Sequence, residues 1–271
     1  MPDQSVAVVT GATGGIGGAV VQRLLAAGYQ VLACGRDPAK LQHLVDTSVL
    51  GQVHPLGFDV GSVEAWVMTV PTALRMLGAP RLLVCAQGAA PCVRPTLGLT
   101  SADVEQVWRT DVLGTLLACQ TVGRAMIAQR CGCIVLVSSM HALATYPQRT
   151  AYSMAKSAVC GLARALAVEW APYGISVNAL APGQVEGPRT QGFADRAYAA
   201  TGEDLLAAMQ SRSPAYKLVE PEAIAETVLW LARTPAVTGA TIPIDYGVLA
   251  SSWCKPFKPL KPFPPEVPDA S

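Results

Sequence analysis

Residues Thr10-Gly11-Ala12-Thr13-Gly14-Gly15-Ile16-Gly17 sit between an apolar run, Val6-Ala7-Val8-Val9, and an amphipathic stretch from Ala19 to Ala27. The pattern reads as strand, tight glycine-rich turn, helix. Side chains at those glycines would keep a dinucleotide pyrophosphate from the backbone amides and from the positive end of the helix. A chain that starts this way is expected to build parallel strands joined by helical crossovers.

Downstream, strand and helix patterns alternate. Short apolar runs at Tyr29 to Cys34, Val53 to Val60, Arg81 to Cys85, Cys133 to Val137, Ile175 to Leu180 and Ala240 to Ile244 suit buried strands. Helical spacing covers Pro38 to Leu50, Val63 to Leu77 with an interruption near Pro71, Ala102 to Gln129, and Ala151 to Trp170. Thr100 and Asp103 form a capping pair for the helix that starts near Ala102. Seven strands in this order imply one α/β domain over residues 1–252, a doubly wound seven-stranded parallel sheet with helices on both faces. Residues 183–217 interrupt the rhythm with an early Gly/Pro/Arg stretch and a weak helical pattern from Ala194 to Met209. A long connection at the carboxyl ends of parallel strands is where substrate binds, so it is expected to act as a mobile lid. The proline-rich tail, 253–271, repeats Lys255-Pro256-Phe257, Lys258-Pro259-Leu260, Lys261-Pro262-Phe263. It reads either as a disordered extension or as a polyproline II strap on this or a neighbouring subunit.

Composition narrows the partners. With 271 residues, 51% of them hydrophobic, the chain can bury a large core, and a net charge of +1 offers no basic surplus for nucleic acid. No apolar run approaches the ~18 residues of a spanning helix, and a first strand at Val6 leaves no room for a signal peptide, so a cytoplasmic location is expected. The eight cysteines lack paired spacing and read as reduced core residues, and with three histidines there is no ligand set for a metal.

The chemistry lies in the middle of the chain. Tyr152 and Lys156 fall on one face of a helix, where an ammonium can lower a phenol's pKa through space and make it a proton donor or acceptor near neutral pH. A nucleotide cradle with such a phenol points to hydride transfer coupled to proton transfer. The run Asn178-Ala179-Leu180-Ala181-Pro182-Gly183 follows on the sixth strand.

Taken together, Thr10, Gly11, Gly15 and Gly17 in the spacing Thr-Gly-x-x-x-Gly-x-Gly, with Ser139, Tyr152, Lys156 and the Asn178–Gly183 run, resemble the short-chain dehydrogenase/reductase family over residues 5–248. The resemblance implies a Rossmann fold and a ketoreductase like the 3-oxoacyl-carrier-protein reductases. Ser139 would then hydrogen-bond the carbonyl oxygen while Tyr152 protonates it, with Lys156 holding the nicotinamide ribose and stabilising the phenolate. The neighbouring Ser138 leaves a turn role open for Ser139, but the offset to Tyr152 favours Ser139. The implied cofactor contacts are Thr10, Gly11, Thr13, Gly15, Ile16, Gly17, Arg36, Asp59, Val60, Ala86, Gly88, Tyr152, Lys156, Pro182, Gly183 and Val185. Asp59 and Val60 correspond to an adenine-contacting pair, although an aspartate after a strand is also an ordinary loop residue.

NADP(H) is the expected cofactor. The place where NAD sites carry an acidic residue is Gly35, followed by Arg36, whose guanidinium suits a 2′-phosphate. Asp37 and Gly14 argue the other way.

Three positions depart from the family. Cys85-Ala86-Gln87-Gly88 replaces Asn-Asn-Ala-Gly and loses both amides; Gly187 stands where a threonine is common; and Asp111 replaces the asparagine of the central helix. Asp111 counts here as a fourth catalytic candidate that faces Lys156 and opposes tyrosinate formation, or else turns to Arg109 or solvent as a plain helix residue. Met140, His141, Tyr146, Gln148 and Gln184 are expected on the substrate side, facing a small-molecule carbonyl compound. An alcohol dehydrogenase working in the oxidative direction, or an impaired nucleotide-binding scaffold, are the alternatives. The long helices 102–129 and 151–170 have Ala-rich faces that favour a homo-oligomer, a tetramer or dimer.

Overall fold

Seven parallel strands run in the spatial order β3-β2-β1-β4-β5-β6-β7: β1 (Val6–Thr10), β2 (Gln30–Gly35), β3 (Val53–Gly57), β4 (Pro80–Cys85), β5 (Gly132–Val137), β6 (Ile175–Pro182) and β7 (Thr241–Ile244). The structure is a computed structural model and describes residues 5–48, 51–89 and 92–251. β1, β5 and β6 are buried at every position, which is why their sequences are uninterrupted apolar runs rather than alternating ones. Each fully buried Val, Leu or Ile there contributes roughly 1.5–3 kcal/mol.

Helices cover both faces. On one side, α1 (Gly15–Ala26) and α9 (Pro221–Arg233) pack Val20, Leu24, Ile224 and Val228 onto Ala7, Val9, Val31 and Val135. On the other, α3 (Val70–Leu77), α5 (Gly114–Gln129) and α6 (Thr150–Trp170) bring Val70, Leu74, Val122, Met126, Val159 and Ala163 into one core with Val8, Leu83, Ile134 and Val177. Period-two alternation along each strand sends neighbouring residues into opposite cores. The doubly wound sheet expected from the alternation is the observed fold. α2 (Pro38–Asp46) ends short of the expected Leu50, and Leu50 lies outside the described residues, as does the 253–271 tail. No helix among the described residues is long and apolar enough to cross a membrane.

Two expectations need correction. The single helix from Ala102 to Gln129 is α4 (Ser101–Trp108), a π-helical turn at Arg109–Leu113, and α5. The capping box on α4 is present, with Thr100 and Asp103 bonded reciprocally. The weak pattern from Ala194 to Met209 resolves into two helices, α7 (Pro188–Thr201) and α8 (Leu205–Ser211), separated by Gly202 at φ +73°. Pro188 opens α7 at a position where a missing N–H costs nothing.

Candidate active site

The strand order reverses between β1 and β4, and both strands end at the same crevice. Gly11 has φ +65°, and a Cβ there would stand 2.6 Å from the Gln87 amide nitrogen, so the turn after β1 can press against the loop after β4 only as glycine. A Cβ on Gly17 would land on the Gly11 carbonyl. No side chain caps α1 at Gly14, which leaves the first helical amides free for a ligand. An open, uncapped helix N-terminus behind a glycine turn fits a dinucleotide pyrophosphate.

Beside it lies a cavity of about 370 Å³ walled by Gly11, Thr13, Gly35, Arg36, Lys40 and Val60 among others. Asp37 lines it too: its carboxylate accepts from the Ala39 and Lys40 amides at 3.0 and 3.2 Å as the N-cap of α2 and stands 3.9 Å from the Lys40 ammonium. Lys40, which the sequence reading passed over, joins Arg36 in this wall. Ala86 and Gly88 line it too. Asp59 does not: its carboxylate accepts from the Gly61 amide at 2.9 Å and holds the turn after β3, the ordinary loop role. Thr10 is fully buried behind the glycine turn and donates to the Gln87 side chain. Gln87 Nε2 in turn donates to Thr115 Oγ1 at 2.8 Å. The segment after β4 therefore keeps an amide at its centre, one residue along from the family's asparagines, and ties β1, β4 and α5 together.

A second cavity, about 180 Å³, opens beyond β5 and β6. Ser139 and Tyr152 share its wall with Ile16, Met140, His141 and Gln184, and Pro182, Gly183 and Val185 complete the side nearest the glycine turn. Ser138 borders it too, but its hydroxyl is committed to α6, donating to the Lys156 carbonyl at 2.8 Å and accepting from the Cys160 thiol at 3.2 Å. Ser139 Oγ accepts from the His141 amide at 3.2 Å, a local turn that holds the hydroxyl at the strand end. Tyr146 and Gln148 are not in this wall; Gln148 is exposed, and its neighbour Arg149 is there instead. Arg189, Thr190 and Phe193 of α7 and Met209 of α8 close the other side.

Lys156 lies behind Tyr152, its ammonium 5.7 Å from the ring centroid. The ammonium donates to the Val137 carbonyl at 3.1 Å and stands 3.2 Å from Asp111 Oδ2. Asp111 thus takes the orientation toward Lys156, not the one toward Arg109 or solvent. Its other oxygen accepts from the Ala89 amide at 2.6 Å. The π-helical turn carries Asp111, the kind of extra-residue bulge that recurs where a helix must aim a side chain at a site. Burial opposes the Lys156 charge, but Asp111 and Tyr152 outweigh it, and the ammonium is held above the ordinary lysine value. His141 packs edge-on against Tyr146 and Tyr152, at 5.2 and 5.7 Å between centroids. Burial, reinforced by the charge of Arg149, pushes its imidazole down to about 4, so it is neutral at pH 7.

Comparison with known proteins agrees with this geometry. The short chain dehydrogenase family model matches residues 5–197, more than half of the chain. A short-chain reductase, NovJ of Streptomyces niveus, is 35% identical over 250 residues, covering 90% of this chain and 94% of its own. The NADP-bound structure of ElxO superposes with a TM-score of 0.84 at 26% identity, covering 92% of this chain and 100% of that one. An NAD+-bound xylitol dehydrogenase does so with a TM-score of 0.83 at 26% identity, covering 89% and 98%. The chain belongs to the short-chain dehydrogenase family and is an NAD(P)-dependent oxidoreductase acting on CH–OH and C=O groups.

Proposed function

We propose that the chain reduces a ketone to a secondary alcohol with NADPH, and that Tyr152 supplies the proton. The observation that carries this reading is the single cavity holding Ser139 and Tyr152, with the charged Lys156 behind them and an open glycine turn at its edge. NADPH, when bound, supplies the hydride. Ser139 donates a hydrogen bond to the carbonyl oxygen as negative charge grows there, and Tyr152 transfers its phenolic proton to that oxygen. The Lys156 ammonium, fixed by Val137 and Asp111, stabilises the phenolate left behind. Asp111 acts as a positioning residue that keeps Lys156 charged. Thr13, Gly15, Ile16 and Gly17 would hold the pyrophosphate, and Pro182, Gly183 and Val185 the nicotinamide end.

NADPH is favoured over NADH because Arg36 and Lys40 are the cations beside Gly35, and the nearby carboxylate, Asp37, is held as a helix cap. The same residues run the reverse oxidation, so direction follows from the cofactor ratio. α7 and α8 serve as the lid, since they supply Thr190, Phe193 and Met209 to the wall. Exposed Trp108, Met154 and Val168 on α4 and α6 support assembly through those helices into a tetramer or dimer. The described cysteines are free, in keeping with a cytoplasmic protein.

The test is a screen of ketone classes against NADPH and NADH by nicotinamide absorbance. Turnover with NADPH on at least one class is expected. Tight cofactor binding with no reduction of any ketone and no oxidation of any secondary alcohol would instead make the chain a nucleotide-binding scaffold.

A further inference from the structure

Arg149 and Arg189 both face the cavity that holds Ser139 and Tyr152, and Arg189 also lines the space beside the glycine turn, where the cofactor's phosphates would meet it, whereas Arg149 faces the substrate side alone. Two guanidiniums at a partly enclosed site repel each other and lose hydration, an arrangement that calls for a negative partner. Among the described residues neither has one: the ion pairs join Arg23 to Glu226, Lys40 to Asp37, Arg94 to Asp103 and Lys156 to Asp111. The cavity wall itself contains no aspartate or glutamate. Arg189 donates to the Ala89 carbonyl, and Arg149 lies 5.2 Å from the centroid of Phe193 on α7. Neither contact neutralises charge.

Local structure directs Arg149 inward. It is the residue from which α6 starts, and no side chain caps that end, so the positive end of a 21-residue helix adds to the same potential. Gln148, just before it, has φ +65°, a left-handed conformation that a non-glycine residue adopts at a cost. Its carbonyl accepts from the Arg94 amide at 3.2 Å, which holds the turn. At about 180 Å³ the cavity is smaller than those that hold drug-sized ligands, so whatever brings the negative charge brings it close to the reacting carbonyl.

We propose that the substrate is a small oxo acid whose anionic group, a carboxylate, sulfonate or phosphate, is read by Arg149, one turn before Tyr152 in the same cavity wall. This rests on the reductase reading above. A guanidinium offers paired N–H donors to such an oxyanion, and a neutral ester of the same shape would leave it unpaired.

The test compares oxo-carboxylates of four to eight carbons, and oxo-sulfonates and oxo-phosphates of matched length, with their neutral esters, in wild type, Arg149→Met and Arg149→Lys. Binding of pentanoate to the NADP-loaded protein is measured beside it by calorimetry. In wild type an acid should exceed its ester in kcat/KM by about a hundredfold or more. Arg149→Met should shrink that ratio to about tenfold or less and abolish pentanoate binding, with Arg149→Lys between them. The acid class with the highest ratio identifies the anion. Ketone reduction with no acid preference, or an equal loss on acid and ester in Arg149→Met, would overturn the anion site and leave the reductase reading standing. Pentanoate binding that depends on Arg149 in a protein that reduces no ketone would do the reverse.

Discussion

Asp111 Oδ2 lies 3.2 Å from Lys156 Nζ, with side-chain exposures of 0% and 4%. The approach is off the line of a good hydrogen bond, and the ammonium's clear acceptor is the Val137 carbonyl, so the pairing is mainly one of charge. A carboxylate here does something an asparagine cannot: it keeps a buried lysine protonated.

Replacing Asp111 with Asn should therefore lower the Lys156 pKa, since burial would then be opposed by Tyr152 alone. A lysine raised in the folded protein stabilises it fully below its unfolded pKa and loses that contribution as pH rises through the folded value. The alkaline limbs of both activity and stability should move to lower pH, with NADPH affinity little changed. Asp111→Ala also orphans the Ala89 amide and should cost about 2–4 kcal/mol in stability. pH–rate profiles and denaturant titrations check both; an unmoved alkaline limb in Asp111→Asn would remove Asp111 from the proton path.

Arg36→Ala and Lys40→Ala should each weaken NADPH binding by about tenfold or more while changing NADH binding by less than about twofold, because only NADPH carries the 2′-phosphate. Fluorescence titration with both cofactors measures this. Equal losses for the two nucleotides would mean that these cations do not set specificity.

His141 gives an acid-side prediction. Its pKa is pushed down to about 4 from an unfolded value near 6.5, so below pH 6.5 the unfolded chain binds a proton that the folded chain refuses. Stability should fall with pH from about 6.5 to about 4 and lose on the order of 3 kcal/mol over that window from this group. His141→Phe should flatten the slope there. The same slope in wild type and variant would assign it to other groups.

Gln87 links Thr10 and Thr115 in the buried space between β1, β4 and α5. Truncation to Ala removes both bonds, although the Val84 and Asp111 carbonyls still accept from Thr10 and Thr115, and should cost about 1–2 kcal/mol. Calorimetric unfolding checks this, and a loss below about 0.5 kcal/mol would show that the link is not structural.

Much of the fold was legible in the sequence because strands buried on both faces must be apolar throughout, as Cys133 to Val137 is. The glycine turn was legible because sterics allow nothing else at Gly11. The π-helical turn was not: one extra residue in a helix leaves no compositional mark, and Arg109–Leu113 reads like its flanks. Arg149, Arg189 and Lys40 were passed over for a related reason, since a cation turned into a cavity and one turned to water have the same local sequence. Gln87 was misread because the amide had moved along the segment. Tyr146 and Gln148 were placed by their position beyond a strand end and near Tyr152; neither lines the cavity, Gln148 being exposed and Tyr146 packing on His141 from outside the wall.

The central claim is that Tyr152 delivers the proton while the glycine turn holds the cofactor independently of it. Tyr152→Phe with a reducible ketone and NADPH tests this most directly, with kcat and NADPH dissociation measured on the same preparation. The prediction is a fall in kcat of about a hundredfold or more, the usual cost of losing a general acid, with NADPH affinity within about threefold of wild type. A variant that keeps more than about a tenth of its turnover would contradict it, because the proton would then come from another group.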